Sequence, residues 1–380
     1  KYYKLKESLS FCIFIQIGML PLIIYFQYEA PAFSFLANVA AVPLATCAFT
    51  LAFLLIFLPY TVFHEAISWM IQGVLWISRQ SYGMLTIGHV PFLWVLLFYF
   101  MTGLWIWKKN GQNRHIRISL AYVIMIILIW IPMARRKSLA FLDVGQGDCF
   151  VADTKSGAII FDGGSSSEDQ VGRYRILPYM KYLGYQKIQI AVISHMDIDH
   201  YSGIKELLEM GKIKYLGLPE IPKDETMKKI IGIAKKRGTT IFYLSRGRQI
   251  TTKDGSLKVL HPQKNSQMEK NAASLVMQGK ILGYRVLLTG DVEKEGEEEL
   301  LSEELERADI LKAAHHGSKN STSNEFLQKV QPKQTVISCG KQNRYGHPHL
   351  ETIHRLQTYR TKIYRTDRSG AIIFFKRRDG

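Results

Sequence analysis

Charged residues are distributed very unevenly along this 380-residue chain, and this constrains its fold more than any other feature. Up to Lys137 the sequence has 11 Lys and Arg and 3 Asp and Glu, whereas the remainder has 38 and 29. No aspartate precedes Asp143. A segment so poor in charge suits a lipid environment, and one rich in charge suits water. The sequence therefore predicts a polytopic membrane domain, residues 1–137, followed by a globular domain, residues 138–380.

Four apolar runs in the first domain approach or exceed the length of about 20 residues that a helix needs to cross a bilayer. They are 10–28, 33–58, 92–107 and 118–133. A fifth stretch, 61–77, carries His64 and Glu65 and either crosses the membrane or lies in its interface. We therefore expect an α-helical transmembrane segment of four or five spans.

The basic residues around the last predicted span indicate the orientation of the globular domain. The loop 108–117 carries four Lys and Arg, and the tail 135–137 carries three. Because one span separates them, they lie on opposite sides of the membrane. For a chain in the cell membrane, the positive-inside rule then favours a cytoplasmic loop and an extracytoplasmic C-terminal domain.

The net charge of the chain is +17. Such a charge suits a polyanionic partner, either nucleic acid or anionic lipid. The alternative is the ordinary excess of Lys and Arg that flanks membrane spans.

From Ser138 the sequence changes to short β-type runs, divided by Gly and Asp, with helices between them. The predicted strands are 139–144, 149–153, 158–162, 188–194, 241–244, 257–260, 275–278, 284–289 and 335–339. The predicted helices are 204–210, 227–237, 293–306 and 350–359. Two groups of strands with helices between and after them indicate sheets covered by helices, in an α/β or α+β layered domain.

The most informative string is Ser-His-Met-Asp-Ile-Asp-His at 194–200, where a buried strand runs into two His and two Asp. In an extended segment, the alternate residues His195, Asp197 and Asp199 would share one side. His200 follows as the chain turns. Imidazole and carboxylate together suit first-row divalent ions such as zinc or manganese.

Three further strings also place polar side chains after apolar runs. Thr-Gly-Asp ends at Asp291, whose single carboxylate would be able to bridge two metals. His315 and His316 are adjacent before Gly-Ser, and a buried structural role is an alternative for one of these histidines and a weaker alternative for both. His347 and His349 alternate in a segment that is otherwise read as a plain surface loop. Ligands from the ends of separate strands are typical of sites built on sheets.

These strings together resemble the metallo-β-lactamase superfamily, although Asp197 stands where the usual box has a second His. The frame Asp-Val-Gly-Gln-Gly-Asp at 143–148, Phe-Asp-Gly-Gly at 161–164 and Leu-Lys at 311–312 resembles the C-terminal domain of the ComEC competence proteins. The polytopic first part resembles their membrane domain, including Asn-Val-Ala-Ala-Val-Pro at 38–43. Because those proteins usually have more spans and a further soluble domain, we expect this chain to be a fragment.

The resemblance implies an αββα sandwich with two divalent metal ions, Mn or Zn, between the sheets. By matching positions, His195 and Asp197 would bind one metal, Asp199 and His200 the other, Asp291 would bridge them, and His316 would complete the second site. Asp199, His315 and His347 are the candidate catalytic residues, and His315, or His347 with His349, would protonate the leaving oxygen. The superfamily's third-motif His is missing, since only His261 lies in that interval and Asn271 occupies the expected place.

Three hypotheses for function follow from the resemblance. The first is a membrane channel component for DNA uptake in natural transformation, which passes one strand while its phosphodiesterase domain degrades the other. Its partners would be DNA, the lipid bilayer and other competence proteins. The second is a transport protein whose lactamase-like domain only binds DNA or is inactive. The third is a membrane-tethered hydrolase of another ester, such as a different phosphoester or a lactam.

Overall fold

The fold is described by a computed structural model that covers residues 2–31, 34–57, 61–79, 83–107, 136–302 and 305–377. The chain divides into two compact units, residues 1–133 and 134–380, here called the N-terminal and C-terminal units.

The N-terminal unit consists mainly of long apolar helices. The helices are α1 (Tyr2–Gln27), α2 (Ser34–Leu55), α3 (Thr61–Arg79) and α4 (Phe92–Trp107). Two short strands, β1 (Glu29–Pro31) and β2 (Met84–Thr86), pair antiparallel between them. Pro21 and Pro43 lie inside α1 and α2, and both helices continue through them.

One helical segment among the described residues, Ala37–Leu55, is long and apolar enough to cross a membrane. The segments Ile15–Gln27 and Phe92–Leu104 are apolar but shorter. The last predicted span, 118–133, and the basic loop 108–117 lie outside the described residues. The number of spans and the orientation of the C-terminal unit therefore stay predictions.

The C-terminal unit contains two seven-stranded mixed sheets. The strands of the first sheet are β3 (Ser138–Phe141), β4 (Phe150–Thr154), β5 (Gly157–Phe161), β6 (Ile188–Val192), β7 (Ile213–Pro219), β8 (Thr240–Leu244) and β16 (Ile372–Phe375). Those of the second are β9 (Gln249–Thr252), β10 (Gly255–His261), β11 (Val276–Ile281), β12 (Tyr284–Leu288), β13 (Ile310–Lys312), β14 (Gln334–Ile337) and β15 (Lys362–Arg365). The first sheet has the order β16-β3-β4-β5-β6-β7-β8, and the second the order β15-β14-β13-β12-β11-β10-β9.

Helices cover the outer face of each sheet. They are α5 (Leu177–Tyr182), α6 (Ile198–Glu209), α7 (Glu225–Lys236), α8 (Lys294–Leu301), α9 (Asn324–Val330), α10 (Leu350–Thr358) and α11 (Thr366–Ser369). One apolar core, including Phe141, Phe161 and Met277, fills the space between the sheets. Two others lie between a sheet and its helices. This four-layer arrangement confirms the predicted αββα sandwich.

Several predicted boundaries were wrong. The helix predicted at 204–210 begins at Ile198, and the one predicted at 293–306 ends at Leu301. Strands β7, β9, β13, β15 and β16 were not predicted. In both sheets four neighbouring strands run parallel, β5 to β8 and β12 to β15. Their carboxyl ends therefore meet at one edge of each sheet, where polar side chains gather.

Candidate metal centre

The box at 194–200 follows β6 and changes conformation halfway. Asp197 has extended backbone angles and precedes α6, which begins at Ile198. Asp199 and His200 therefore lie in the first turn of a helix. The expectation that His195, Asp197 and Asp199 share one side of an extended segment was wrong for Asp199, because the helix starts one residue earlier.

Two glycine-containing loops hold the start of α6. Asp148 donates its backbone N–H to the Asp199 carbonyl at 3.0 Å, and Gly163 donates to the His200 carbonyl at 2.8 Å. A Cβ atom on Gly164 would lie 2.6 Å from the Asp199 carbonyl carbon and from the His200 nitrogen. Only glycine allows this approach. The loops after β3 and β5 thus fix the backbone that carries the two box residues.

Two buried imidazoles, His200 and His316, form the centre of the site. The His200 Nδ1 atom donates to Asp162 at 3.0 Å, and the His316 Nδ1 atom donates to the Ser338 carbonyl at 2.9 Å. Both Nε2 atoms point toward Asp291, whose Oδ2 atom lies 3.2 Å from His200 and 3.4 Å from His316. The rings are 5.5 Å apart between centroids.

Asp199 lies on the same side of these imidazoles as Asp291. Its carboxylate is 3.4 Å from the His316 Nε2 atom and 4.0 Å from the His200 Nε2 atom. Burial opposes ionisation of this carboxyl, but the close contact with His316 and the charge of His200 outweigh it and lower the pKa of Asp199 to about 2. Asp199 is therefore a carboxylate, and so an anionic ligand, at neutral pH.

Asp148, His200, Asp291 and His316 form a candidate metal-binding group, since each offers a donor atom within 4.8 Å of the others. Asp148, however, faces the Nδ1 atoms of both imidazoles, at 3.7 and 3.6 Å, and forms an ion pair with Lys312. A metal-binding imidazole uses one nitrogen for the ion and donates the other N–H to an outer partner. The Nε2 side would therefore face a bound ion, and Asp199 on that side suits the role of ligand better than Asp148.

The donor atoms fit a divalent ion. Within the described residues, the Nε2 atoms of His195, His200 and His316 are buried and have no hydrogen-bond partner. The carboxylates nearest to them lie 3.2 to 3.6 Å away. Buried polar atoms are normally satisfied, so converging orphan nitrogens beside carboxylates indicate a place for a cation.

The other half of the predicted pair of metal sites is more open. The His195 Nε2 atom lies 3.6 Å from Asp197, whose side chain is 40% exposed. The ammonium of Lys270 lies 3.7 Å from the other oxygen of Asp197. Asn271 lines the same cleft. The imidazole of His261 has other partners, since its Nε2 atom donates to the Ala272 carbonyl at 2.7 Å and Glu299 lies beside its Nδ1 atom at 3.1 Å.

His315 and His316 have left-handed backbone angles, with φ values of 47° and 53°. Such angles are strained outside glycine and concentrate at functional sites. With these backbone angles the imidazole rings of His315 and His316 point in different directions. His316 is buried at the centre, whereas His315 lies 2.8 Å from Glu293 through Nδ1 and 3.9 Å from Asp291 through Nε2.

A cleft of about 370 Å³ opens onto these groups. His347 lies at its edge, with ring centroids 5.4 Å from His315 and 6.1 Å from His316, and Tyr345 stacks on it. Burial, followed by the neighbouring imidazoles, lowers the pKa of His347 to about 4. His347 is therefore neutral near pH 7. His349 instead accepts the Lys319 N–H at 3.3 Å.

The structure thus brings together His195, Asp199, His200, Asp291, His315 and His316, with Asp197 and His347 at the edge of the cleft. Sequence reasoning did not identify four residues around them: Asp148, Asp162, Glu293 and Lys312. Asp148 and Asp162 belong to the glycine-containing strings quoted for the resemblance, and Lys312 is an isolated charge in an apolar run. These sequence features could have identified the three residues as part of the site. Glu293 carries no such signal, since it begins a stretch rich in Glu.

Comparison with known families matches both parts of the chain. A family described as "Metallo-beta-lactamase superfamily" matches residues 142–341, and one described as "Competence protein" matches residues 2–112. Among solved structures, the metallo-beta-lactamase fold protein YhfI from Bacillus subtilis covers 62% of this chain and 99% of its own, with 12% identity and a TM-score of 0.44.

Curated relatives include competence proteins. "ComE operon protein 3" of Bacillus subtilis is 31% identical over 96% of this chain and 51% of its own length. "Competence protein ComA" of Neisseria gonorrhoeae is 30% identical over 63% of this chain and 32% of its own. The chain thus spans about half the length of the first relative and about a third of the second. These matches confirm the predicted resemblance to the ComEC proteins.

Proposed function

Since this chain belongs to the metallo-beta-lactamase superfamily and carries a competence-protein segment before that domain, we propose that it is part of a DNA-uptake channel in natural transformation. The N-terminal unit would pass one DNA strand through the cell membrane. The C-terminal unit would act as a metal-dependent phosphodiesterase on the other strand, on the extracytoplasmic side. Its partners would be DNA, the bilayer and other competence proteins.

The observation that carries the enzymatic proposal is the convergence of buried, unpartnered Nε2 atoms on carboxylates at the floor of the cleft. His200, His316, Asp199 and Asp291 would hold one divalent ion, and His195 and Asp197 would add a second with Asp291 between them. Manganese or zinc suits such a mixed set of imidazoles and carboxylates. Ions bound there would activate water and stabilise charge on a phosphoryl group.

The chain's own groups suggest how a phosphodiester would be handled. The Nδ1 atom of His315 lies 2.8 Å from a carboxylate oxygen of Glu293, and this contact would favour the ring orientation in which Nε2 lies on the cleft side, 3.9 Å from Asp291. His315 is therefore the best-placed proton donor to a leaving oxygen. His347, being neutral, would supply a hydrogen bond rather than a proton. Arg344, exposed beside Tyr345 at the edge of the cleft, would contact a neighbouring phosphate.

The helices of the N-terminal unit support a membrane location. In the segment Ala37–Leu55 only 6% of the most apolar window is buried, and the side chains of Phe49 and Phe53 are exposed. Large exposed apolar surfaces mark contact with lipid or with other apolar helices. A multi-pass arrangement in the cell membrane follows from this proposal.

The decisive experiment assays the 380-residue chain, purified in detergent, on single- and double-stranded DNA with Mn²⁺ or Zn²⁺. We expect cleavage by the wild type and loss of it in Asp199→Ala. Asp169→Ala is the matched control, because Asp169 is an exposed carboxylate outside the site. Absence of cleavage by the wild type, or equal cleavage by the Asp199 variant, would contradict the nuclease proposal.

A second candidate function has one observation in its favour. Asn271 lies where a third histidine is expected, and the carboxylate of Asp197 contacts Lys270 as well as His195. If the metal site at His195 and Asp197 binds its ion too weakly, the domain would bind DNA without cutting it. A protein that retains DNA affinity but cuts nothing with either metal would favour this reading. Hydrolysis of another phosphoester remains the third hypothesis, tested with small phosphodiesters in the same assay.

A further inference from the structure

Lys312 is a buried cation inside the candidate metal centre, and the mechanism described above does not use it. It ends β13, and its side chain is 5% exposed. Its ammonium forms an ion pair with Asp148, donates to the Gly290 carbonyl at 2.9 Å, and lies 3.4 Å from the Asp291 Oδ1 atom. A buried ammonium needs an acceptor for each of its three N–H groups. These three neighbours supply them and fix its position.

The two oxygens of Asp291 therefore face different partners. Oδ1 is directed to Lys312, whereas Oδ2 is the atom near the imidazoles of His200, His316 and His315. A carboxylate without a partner for Oδ1 can rotate and present both oxygens to the same cation. The position of Lys312 opposes that rotation.

We propose that Lys312 is a positioning residue for the metal centre, which holds Oδ1 of Asp291 so that Oδ2 alone is presented to bound ions. The inference rests on the proposed metal-dependent function, but it concerns metal binding and not the cleavage of DNA. Outer partners of metal ligands typically change metal affinity by about 10- to 100-fold when they are removed. Lys312 is expected to act in that range.

The test compares two variants of the 380-residue chain in detergent. Lys312→Met alone would leave Asp148 buried without its cation and would endanger folding. Asp148→Asn is therefore the background, and the double variant Asp148→Asn/Lys312→Met is compared with it. Both lack the Asp148 charge, so their difference reports the loss of Lys312. Because removal of its positive charge would by itself strengthen binding of a cation, weaker binding in the double variant reports the lost contact with Asp291. Circular dichroism and thermal melting without metal establish that both are folded.

The probe is Mn²⁺, measured by calorimetric titration and by electron paramagnetic resonance of the bound ion. We expect Asp148→Asn to retain measurable Mn²⁺ binding, because Asp199, Asp291 and the Nε2 atoms on the ion-facing side are unchanged. The double variant should bind Mn²⁺ at least about tenfold more weakly than Asp148→Asn. Its manganese spectrum should also change, because the ion meets a differently oriented carboxylate. A merely structural role would lower the melting temperature without altering the spectrum.

Equal affinities and equal spectra in the two variants would overturn the proposal, and so would a loss already complete in Asp148→Asn. A wild-type chain that binds neither Mn²⁺ nor Zn²⁺ would overturn it as well. If the wild type binds metal and the variants differ as expected, but DNA is not cut, the nuclease proposal fails while the role of Lys312 stands.

Discussion

Asp162 accepts a hydrogen bond from the Nδ1 atom of His200 at 3.0 Å, and both side chains are buried. The other oxygen of the same carboxylate accepts the backbone N–H of Ser194 at 2.7 Å. The pair keeps the proton of His200 on Nδ1 and turns Nε2 toward Asp199 and Asp291. A residue of the loop after β5 thus determines which nitrogen of a residue in the first turn of α6 would face a metal ion.

Asp162→Asn is expected to weaken metal binding while the fold is retained. The amide keeps the size of the side chain but holds the imidazole less firmly, and loss of such an outer partner costs about 10- to 100-fold in affinity. Calorimetric titration of Mn²⁺ into the 380-residue chain measures the change. Asp169→Asn, an exposed change of the same kind, should have wild-type affinity. Equal affinities of the two variants for Mn²⁺ would show that Asp162 does not orient His200 for metal binding.

Glu293→Gln is expected to slow DNA cleavage by about tenfold or more while metal affinity is unchanged, because a misoriented His315 loses part of a general acid's contribution. Rates at saturating metal and DNA give the effect on kcat. Glu298→Gln, in the helix that Glu293 precedes, is the matched control, since Glu298 is 64% exposed and pairs only with Lys294 among the described residues. A parallel loss in both variants would indicate a general effect of charge.

Metal binding is expected to occur in two unequal steps. The group with Asp199, His200, Asp291 and His316 is buried, whereas Asp197 is 40% exposed and shared with Lys270. Titration should therefore show one tight and one weaker event for Mn²⁺. Asp199→Ala should abolish the tight event, and Asp197→Ala only the weaker one. Two equal events in the wild type, or identical effects of the two variants, would contradict this ranking.

Asp309 gives a prediction for stability that is independent of metal. Burial opposes its ionisation, but the backbone N–H of Arg285 and the cations of Lys333 and Arg377 outweigh burial and lower the pKa of this carboxyl. A lowered folded pKa means that the ionised carboxylate stabilises the fold above the unfolded pKa of about 3.9. That contribution is lost as the pH falls through the folded pKa.

Asp309→Asn should therefore lower stability at pH 7 by about 1–2 kcal/mol, and the difference from the wild type should shrink below pH 4. Melting temperatures of the two proteins between pH 7 and pH 3 measure this, with chelator present throughout. A difference that is constant across this range would show that the ion pairs of Asp309 contribute nothing.

Local sequence patterns predicted the strands that carry the site, because β5, β6 and β12 are mostly apolar segments that are followed by polar residues. They did not predict β13 or β16. A three-residue strand such as β13 shows no alternation, and β16 is defined by its pairing with β3, more than 200 residues earlier. The roles of Asp148 and Lys312 could not be predicted for the same reason, because these two residues form an ion pair with each other across a long separation in sequence.

The segment 194–200 was predicted correctly in its chemistry and incorrectly in part of its geometry. Its residue types pointed to a metal, and the structure places His195, Asp199 and His200 together. The side on which each residue projects was wrong for Asp199, because a strand-to-helix junction at Ile198 replaced the assumed continuation of the strand. A junction of this kind is set by the surrounding glycine loops, which contact it from 148 and 163–164.

The candidate ligands come from both sheets of the sandwich. Asp199 and His200 follow a strand of the first sheet, and Asp291 and His316 follow strands of the second. An ion bound among them would act as a removable cross-link between the two halves of the unit. Its free energy of binding would add directly to the work needed to separate the sheets. The resistance of the domain to proteolysis or mechanical force would therefore depend on the availability of the metal ion.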